Sequence, residues 1–263
     1  MDFKKLLKTA INASISGGHA IMEVYASNFD VEQKDDDSPL TLADKNCNSI
    51  IEKFLLKTSI PIMSEEGAKI AYSERRNWEY FWLVDPLDGT KEFIKRNGEF
   101  TVNIALIHNG LPIMGVIYVP AKKDLYFAME GLGSFIANSN SVISNLNNLI
   151  AESDKLPIDY KRNNYVVVGS RSHMSTETEE FFKEKIRGHE NVEVMAIGSS
   201  LKLCMVAEGK ADAYPRYAPT MEWDIAAGHA IAKFAGFSVL QYQTNKEMVY
   251  NKEDLLNPWF LVQ

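Results

Sequence analysis

Apolar residues recur every three or four positions near the start of the chain, which predicts a long N-terminal helix. The pattern is carried by Phe3, Leu6, Leu7, Ala10, Ile21, Val24 and Tyr25. Gly17 and Gly18 lie in the middle of this segment and weaken the prediction, because glycine is a poor helix former. A polar loop at 34–39 follows, and Asp44 is then predicted to be the N-cap of a second helix. The apolar residues of that second helix are Ile50, Ile51, Phe54 and Leu55.

Short apolar runs bounded by turn residues predict a series of strands in the first half of the chain. These runs cover 60–63, 81–84, 101–107, 111–119, 124–129 and 134–137. Asn109-Gly110 joins two of them and is the strongest short hairpin signal in the sequence. The last two runs form a further predicted hairpin around Gly131 and Gly133.

The segment 138–164 is rich in Asn, Ser and Lys and has weak periodicity, so it predicts a domain boundary. We place one subdomain at 1–150 and a second at 151–263. Strands and helices alternate beyond the boundary, which favours an α/β layer. The predicted strands are 165–168, 192–195, 211–214 and 238–240, with helices near Phe181, from Leu201 and from Asp224.

Composition limits the class of protein. The chain has 263 residues, 46% of them hydrophobic, which is enough for a sizeable core. Its formal net charge of −7 argues against a nucleic-acid polymer as partner. No segment reaches the ~20 apolar residues of a membrane span. The two cysteines, Cys47 and Cys204, match no metal or redox spacing and are predicted to be small core residues. We therefore expect a cytoplasmic protein without integral membrane association, and leave open a peripheral contact with the inner membrane.

The candidate chemistry lies at the end of the apolar run 81–84, where Asp85 and Asp88 follow at a spacing of three residues. Pro86 stiffens this turn, and Gly89 lets the backbone approach a ligand closely. If a helix begins near Thr90, its free N–H groups and the two carboxylates would face the same space. Oxygen ligands of this kind select magnesium or manganese over zinc. The alternative is an Asp-rich turn that only caps a helix.

Two further acidic positions also lie at the ends of predicted elements. Glu65 and Glu66 follow the strand 60–63, and Asp224 opens the last predicted helix. Each of them is alternatively an N-cap or a solvated end. His108 and His229 have no partners at ligand spacing and are predicted to be structural. The sequence contains no Walker A loop, HExxH, GxSxG or CxxC motif.

Three motifs together resemble the inositol monophosphatase family of magnesium-dependent, lithium-sensitive phosphatases. They are the segments 85–90, 65–66 and 223–228, in the family's order along nearly the whole chain. The segment 88–101 is most similar to the bacterial 3′(2′),5′-bisphosphate nucleotidase branch, and 170–173 and 198–202 favour the same branch. The resemblance implies an α/β/α/β/α sandwich with the site between the two subdomains. The first would carry most metal ligands, and the second would carry the substrate wall and Asp224.

The resemblance also implies roles for particular residues. The ligands of two or three Mg²⁺ ions, or of Mn²⁺ as a substitute, would be Glu65, Asp85, Asp88, Asp224 and the Leu87 carbonyl. Asp44 and Thr90 would orient the attacking water and are the implied catalytic residues. The implied substrate-binding residues are Gly89, Thr90, His173, Ser199, Lys202 and Arg216.

The activity implied by the resemblance is hydrolysis of the 3′-phosphate of 3′-phosphoadenosine 5′-phosphate to AMP and phosphate. This reaction would clear a nucleotide by-product of sulfate assimilation, with a small bisphosphate nucleotide as partner. An inositol or sugar phosphatase of the same fold remains an alternative, as does a non-catalytic metal or nucleotide sensor. Arg216 separates the first two, because arginine suits a second phosphate and the glutamate typical of inositol monophosphatases suits a sugar hydroxyl. Arg216 is alternatively a surface residue beside Tyr217. The oligomeric state stays open.

Overall fold

The computed structural model describes residues 1–28, 30–33, 39–67, 69–169 and 175–263. Its α-helices are α1 Phe3–Tyr25, α2 Leu42–Leu55, α3 Tyr72–Arg75, α4 Thr90–Ile94, α5 Leu146–Ala151, α6 Thr176–Gly188, α7 Leu201–Glu208 and α8 Glu222–Phe234, and a 3₁₀ helix covers Leu56–Thr58. Its strands are β1 Val31–Gln33, β2 Pro39–Thr41, β3 Ile62–Ser64, β4 Tyr80–Asp88, β5 Thr101–His108, β6 Leu111–Val119, β7 Asp124–Met129, β8 Gly133–Asn138, β9 Asp154–Lys155, β10 Tyr165–Gly169, β11 Val192–Ala196, β12 Tyr214–Arg216, β13 Val239–Gln241 and β14 Phe260–Val262.

The long N-terminal helix is confirmed, and its two glycines do not interrupt it. A Cβ at Gly17 would lie 2.6 Å from Cys47 Sγ, and one at Gly18 would lie 2.5 Å from the Tyr118 ring. The glycines therefore let α1 pack closely against α2 on one side and β6 on the other. Their low helix propensity is overridden by tertiary packing.

The predicted start of the second helix is wrong. Thr41 is the N-cap of α2, and Asp44 is the third residue of the helix. The two residues form a capping box, in which the Thr41 side chain accepts a hydrogen bond from the Asp44 backbone N–H and the Asp44 side chain accepts one from the Thr41 backbone N–H. Asp44 was predicted as the cap because both residue types stabilise free N–H groups at a helix start.

The large sheet has the strand order β3-β4-β5-β6-β7-β8-β9. β3 runs parallel to β4, and the remaining neighbours are antiparallel. The Asn109-Gly110 hairpin is confirmed, with φ angles of 48° and 78° that suit Asn and Gly. β4 continues four residues past its predicted end at Val84 and reaches Asp88, with a register shift between Asp85 and Asp88.

A second group of strands follows in the C-terminal part. β10 and β11 pair in parallel, and a bridge between Val167 and Ala213 joins β10 to the segment that leads into β12. β12, β14 and β13 form an antiparallel sheet in that order. The strand predicted at 211–214 instead begins at Tyr214. The sequence pattern also missed the short elements β1, β2, α3, α5, β9 and β14.

The elements form the predicted α/β/α/β/α layers. α1 and α2 cover one face of the large sheet, while α7 and α8 lie between its other face and the smaller strands. α6 packs outside β11 and β12, where Phe181 and Phe182 join the third apolar cluster. The division at residue 150 stays a prediction. β9 extends the large sheet, and α8 packs against that sheet.

None of the helices in the described part of the chain is both long enough and apolar enough to cross a membrane.

Candidate active site

Asp85 and Asp88 lie at the irregular end of β4, where strand pairing shifts register. Asp85 is 1% exposed, and its Oδ1 accepts a hydrogen bond of 3.0 Å from the Leu87 N–H. Gly89 follows with a φ of 90°, and α4 begins at Thr90 as predicted. Gly89 is required here for a second reason, because a Cβ would lie 3.0 Å from the Glu99 carbonyl oxygen.

Parallel pairing of β3 with β4 brings Glu65 beside this turn. The Glu65 N–H donates to the Val84 carbonyl over 3.1 Å, and the Glu65 and Asp85 side chains share a hydrogen bond. Burial raises the pKa of Asp85 well above its usual value, and the carboxylates of Glu65, Asp88 and Asp224 raise it further. The structure therefore brings together the four acidic side chains that follow or open separate elements in the sequence.

Asp224 reaches the group from the first turn of α8. The helix begins at Glu222, two residues before the predicted start, and the Asp224 Oδ2 accepts a hydrogen bond of 2.9 Å from the Met221 N–H. Burial raises the pKa of Asp224 well above its usual value, and Asp88 and Glu65 act in the same direction. Charge repulsion among these groups is therefore mutual.

Asp88 differs from Asp85 and Asp224 because the charge of Lys202 opposes the effect of burial on its pKa, whereas Arg216 opposes it at both Asp88 and Asp224. Burial raises its pKa, whereas Lys202, the Ser200 N–H, Asn103 and Arg216 lower it. The Asp88 Oδ2 accepts a hydrogen bond of 2.5 Å from Ser200 N and lies 3.5 Å from Asn103 Nδ2. Asp88 thus lies between the other three carboxylates and two cations, Lys202 and Arg216, which we call the basic wall.

Asp44 and Thr90 meet at the opposite edge of the turn. The Asp44 Oδ2 accepts bonds of 2.8 Å from Thr41 N and 2.6 Å from Thr41 Oγ1. The Thr90 hydroxyl lies 3.3 Å from Asp44 Oδ1 and 3.2 Å from the Leu87 carbonyl oxygen. One hydroxyl proton can serve only one of these two acceptors at a time. The capping box therefore fixes the orientation of the Asp44 carboxylate toward Thr90.

Lys202 and Arg216 form the basic wall. Lys202 is buried, donates to the Ser199 carbonyl over 2.5 Å, and has a pKa that burial lowers to about 8 despite the nearby Asp88. Arg216 donates from Nη2 to the Pro219 carbonyl over 2.9 Å, while its Nε is buried without a hydrogen-bond partner in the described part of the chain. Ser199, beside this wall, has a φ of 49°. His173 lies outside the described residues.

The donor set fits a hard divalent cation. No three His, Cys, Asp or Glu side chains of the described residues are arranged as they stand to hold a metal ion. Buried carboxylates that raise one another's pKa are nevertheless the environment that a divalent cation stabilises.

Sequence reasoning missed Thr101 and Asn103, which are buried on β5 beside Asp88, and gave no role to Ser200. The available signal was the pair of polar residues at alternate positions of an otherwise apolar strand.

The prediction for the cysteines is confirmed, because Cys47 and Cys204 are both fully buried. Burial, followed by Asp44 and Asp85, raises the pKa of the Cys47 thiol well above its usual value.

Comparison with known proteins agrees with this fold. The model of the inositol monophosphatase family matches residues 2–259, and the chain belongs to that family. Within it, the chain is 44% identical to the 3′(2′),5′-bisphosphate nucleotidase CysQ of Salmonella typhimurium over 98% of this chain and 99% of that protein.

Solved structures give the same relationship. CysQ from Bacteroides thetaiotaomicron, a bacterial member of the family, has a TM-score of 0.92 and 49% identity, covering 100% of this chain and 98% of that one. An inositol monophosphatase from Anabaena has a TM-score of 0.71 at 23% identity, covering 100% of this chain and 92% of that one, and shares the fold.

Proposed function

We propose that this protein is a magnesium-dependent phosphatase that hydrolyses the 3′-phosphate of 3′-phosphoadenosine 5′-phosphate to AMP and phosphate. The observation that carries the proposal is the position of Asp88, which lies between the cluster of buried carboxylates and the cations Lys202 and Arg216. A cluster of buried carboxylates alone suits any phosphatase of this fold. The basic wall adds a place for a second phosphate, and the similarity to CysQ nucleotidases supports the same substrate class.

The family is generally Mg²⁺-dependent. Two or three ions would be held by Glu65, Asp85, Asp88 and Asp224 together with the Leu87 carbonyl, and Mn²⁺ would substitute. When bound, Mg²⁺ supplies positive charge to the phosphoryl group and to the attacking water. The protein's part is to hold these oxygen donors at the ends of β3, β4 and α8, away from bulk water.

The remaining residues position the reactants. Thr90 can accept a hydrogen bond from the attacking water at its hydroxyl oxygen when its own proton points to Asp44, and the Thr41 bonds hold Asp44 in place for that contact. The N–H groups of Gly89 and Thr90 would bind the scissile phosphate. This arrangement orients the water for in-line attack without a strong general base.

The wall opposite selects the substrate. Among the described residues Arg216 donates only to the Pro219 carbonyl, so further N–H groups are available there, and its planar guanidinium can bind a phosphate through two parallel hydrogen bonds. Lys202 adds charge, while Ser199 would contact the nucleotide. We assign His173 to the adenine side from the resemblance alone.

A phosphate-release panel tests the proposal. The purified protein with Mg²⁺ is offered 3′-phosphoadenosine 5′-phosphate, inositol 1-phosphate and fructose 1,6-bisphosphate. We expect kcat/KM to be highest for the nucleotide, and we expect EDTA to abolish release, with Mg²⁺ restoring it. Preference for inositol 1-phosphate would replace the proposal with the inositol phosphatase alternative. Absence of release from every compound would favour a non-catalytic sensor.

A further inference from the structure

The segment before α7 is held by two hydrogen bonds from its backbone N–H groups to side-chain carboxylates, one of which is that of Asp88. Gly198 N donates to Glu99 Oε2 over 2.7 Å, and Ser200 N donates to Asp88 Oδ2 over 2.5 Å. These contacts join positions about a hundred residues apart, since 112 residues separate Ser200 from Asp88. They connect the carboxylate group to the segment from which the basic wall begins.

Close packing leaves this segment little freedom. A Cβ at Gly198 would lie 2.7 Å from Glu92 Cγ, and a Cβ at Gly89 would lie 3.2 Å from Ser199 Cβ. Both distances are shorter than ordinary contacts, so each glycine is there because a side chain of a neighbouring segment lies close to its backbone. The Ser200 N–H therefore has a fixed direction relative to Asp88.

The Ser200 side chain takes part in a buried hydrogen-bond chain. Ser200 Oγ donates to Asn103 Oδ1 over 2.9 Å and lies 2.8 Å from Thr101 Oγ1. All three residues are buried, with exposed fractions of 2%, 1% and 0% in that order. Because these residues are buried away from solvent, each polar atom in such a chain depends on its neighbour for a hydrogen-bond partner.

The direction of every proton in this chain can be deduced. Asn103 Oδ1 can only accept, so Ser200 must use its single proton there, and Thr101 must donate its proton to Ser200. With Oδ1 engaged, Asn103 Nδ2 faces Asp88 Oδ2 at 3.5 Å. The reversed amide would place its oxygen against the Asp88 carboxylate, where neither atom can donate. The three residues thus fix the side of Asn103 that meets Asp88.

We propose that Ser200 is a positioning residue, whose hydroxyl, set by Thr101, orients Asn103 toward Asp88 and so determines how strongly the site binds a divalent cation. The proposal rests on the proposed function, in which Asp88 is a metal ligand. Residues that orient ligands in this way typically change metal affinity by about ten- to a hundredfold when they are removed. Ser200, Thr101 and Asn103 would achieve this without touching metal or substrate.

Binding of Mn²⁺ to the full-length protein, measured by calorimetry without substrate, tests the proposal. We expect Ser200→Ala and Thr101→Val to weaken Mn²⁺ binding by about tenfold or more, because both break the proton order that holds Asn103. Thr101→Ser keeps the hydroxyl and should restore wild-type affinity. Ser134→Ala is the matched control, because the Ser134 hydroxyl is fully buried but has no hydrogen-bond partner among the described residues.

The outcomes separate the positioning role from the proposed function. Wild-type protein that binds no Mn²⁺ would overturn the metal site and this inference with it. Wild-type binding that Ser200→Ala leaves unchanged would overturn only the inference. A lower melting temperature with unchanged Mn²⁺ affinity would make the chain merely structural. If Ser200→Ala does not fold, the comparison of Thr101→Val with Thr101→Ser decides the question.

Discussion

Asp85 is a buried carboxyl group surrounded by Glu65, Asp88 and Asp224, and burial together with these neighbours raises its pKa. We expect Asp85→Asn to slow phosphate release roughly a thousandfold, which corresponds to ~4 kcal/mol of transition-state stabilisation. The amide is isosteric and removes one repelling charge, so the melting temperature in EDTA should be at or above that of wild type. Turnover and melting are measured on the same sample.

Asp159→Asn makes the same chemical change on an exposed carboxylate and should leave both quantities unchanged. Turnover of Asp85→Asn close to that of wild type would show that Asp85 holds no metal required for the reaction.

Asp44 has two functions in one carboxylate, because it completes the capping box of α2 and meets the Thr90 hydroxyl. Loss of a cap costs about 1 kcal/mol of stability. We expect Asp44→Ala to show that loss and also to lower turnover about tenfold or more at temperatures where it remains folded. Melting temperature and turnover distinguish the two effects.

Asn145→Ala supplies the comparison. Asn145 caps α5 by accepting from the N–H groups of Asn147 and Asn148, at 2.9 and 3.4 Å. Its loss should lower stability and leave turnover intact. Equal behaviour of the two variants would reduce Asp44 to a cap.

Arg216 lies beside the carboxylate group with donor capacity to spare. We expect Arg216→Ala to reduce kcat/KM on the bisphosphate nucleotide about ten- to a hundredfold, since a charge-assisted hydrogen bond contributes ~1.5–3 kcal/mol. Arg216→Glu should be worse, because it adds repulsion. Hydrolysis of a simple phosphate monoester, which has no second phosphate, should change little.

Both variants and wild type are compared on both substrates. A parallel fall on the two substrates would identify Arg216 as structural, the alternative that its position next to Tyr217 left open.

At the scale of secondary-structure elements, α8 carries Asp224 and packs directly on the large sheet. The contact depends on Gly115 in β6, where a Cβ would lie 2.3 Å from the Ala227 carbonyl oxygen and 2.8 Å from Ala230 Cβ. Helix backbone cannot move aside as a flexible side chain can. We expect Gly115→Ala to lower the free energy of unfolding by about 1–3 kcal/mol, as overpacked cores do.

Urea denaturation measures this effect. Gly188→Ala, at the end of α6, places its new methyl group where no atom from the rest of the described chain, beyond its own turn of helix, lies within 4 Å, so it should not destabilise the protein. Equal stability of Gly115→Ala and wild type would mean that α8 and β6 separate at little cost, contrary to the packing described.

At the scale of the whole molecule, the cluster of carboxylates links the stability of the fold to pH and to metal binding. A carboxyl whose pKa is raised on folding contributes stability that is present below its unfolded pKa and is lost as pH rises through the folded pKa. Asp85 and Asp224 are both of this kind. We therefore expect the stabilisation by Mg²⁺, measured as the melting temperature with Mg²⁺ minus that in EDTA, to be larger at about pH 8 than at about pH 5.

The difference between the melting temperatures with Mg²⁺ and in EDTA cancels a pH effect of opposite sign from the pair His229 and Glu247. Burial lowers the pKa of His229, and contact with His229 lowers that of Glu247 to about 2. Both residues therefore contribute less to the stability of the fold as pH falls. These groups respond to pH equally with and without Mg²⁺. A Mg²⁺ effect that is the same at both pH values would contradict the linkage.

Much of the architecture followed from local pattern. The 3.6-residue periodicity of α1 and the Asn-Gly turn between β5 and β6 are properties of neighbouring residues, and both predictions were confirmed. Strands of two or three residues, such as β9 and β14, carry too few positions for a period to be recognised. They form because a neighbouring strand offers an edge, which is a property of the folded sheet.

The sequence by itself determined the fold class, the family motifs and the positions at which carboxylates end strands or open helices. Only the tertiary structure decided that these carboxylates are buried together, because their proximity depends on parallel pairing of β3 with β4 and on α8 crossing the sheet. The same holds for the contact of Ser200 with Asp88, which closes over 112 residues of chain. Local sequence sets the conformations open to each segment, whereas burial and repulsion arise from packing between segments.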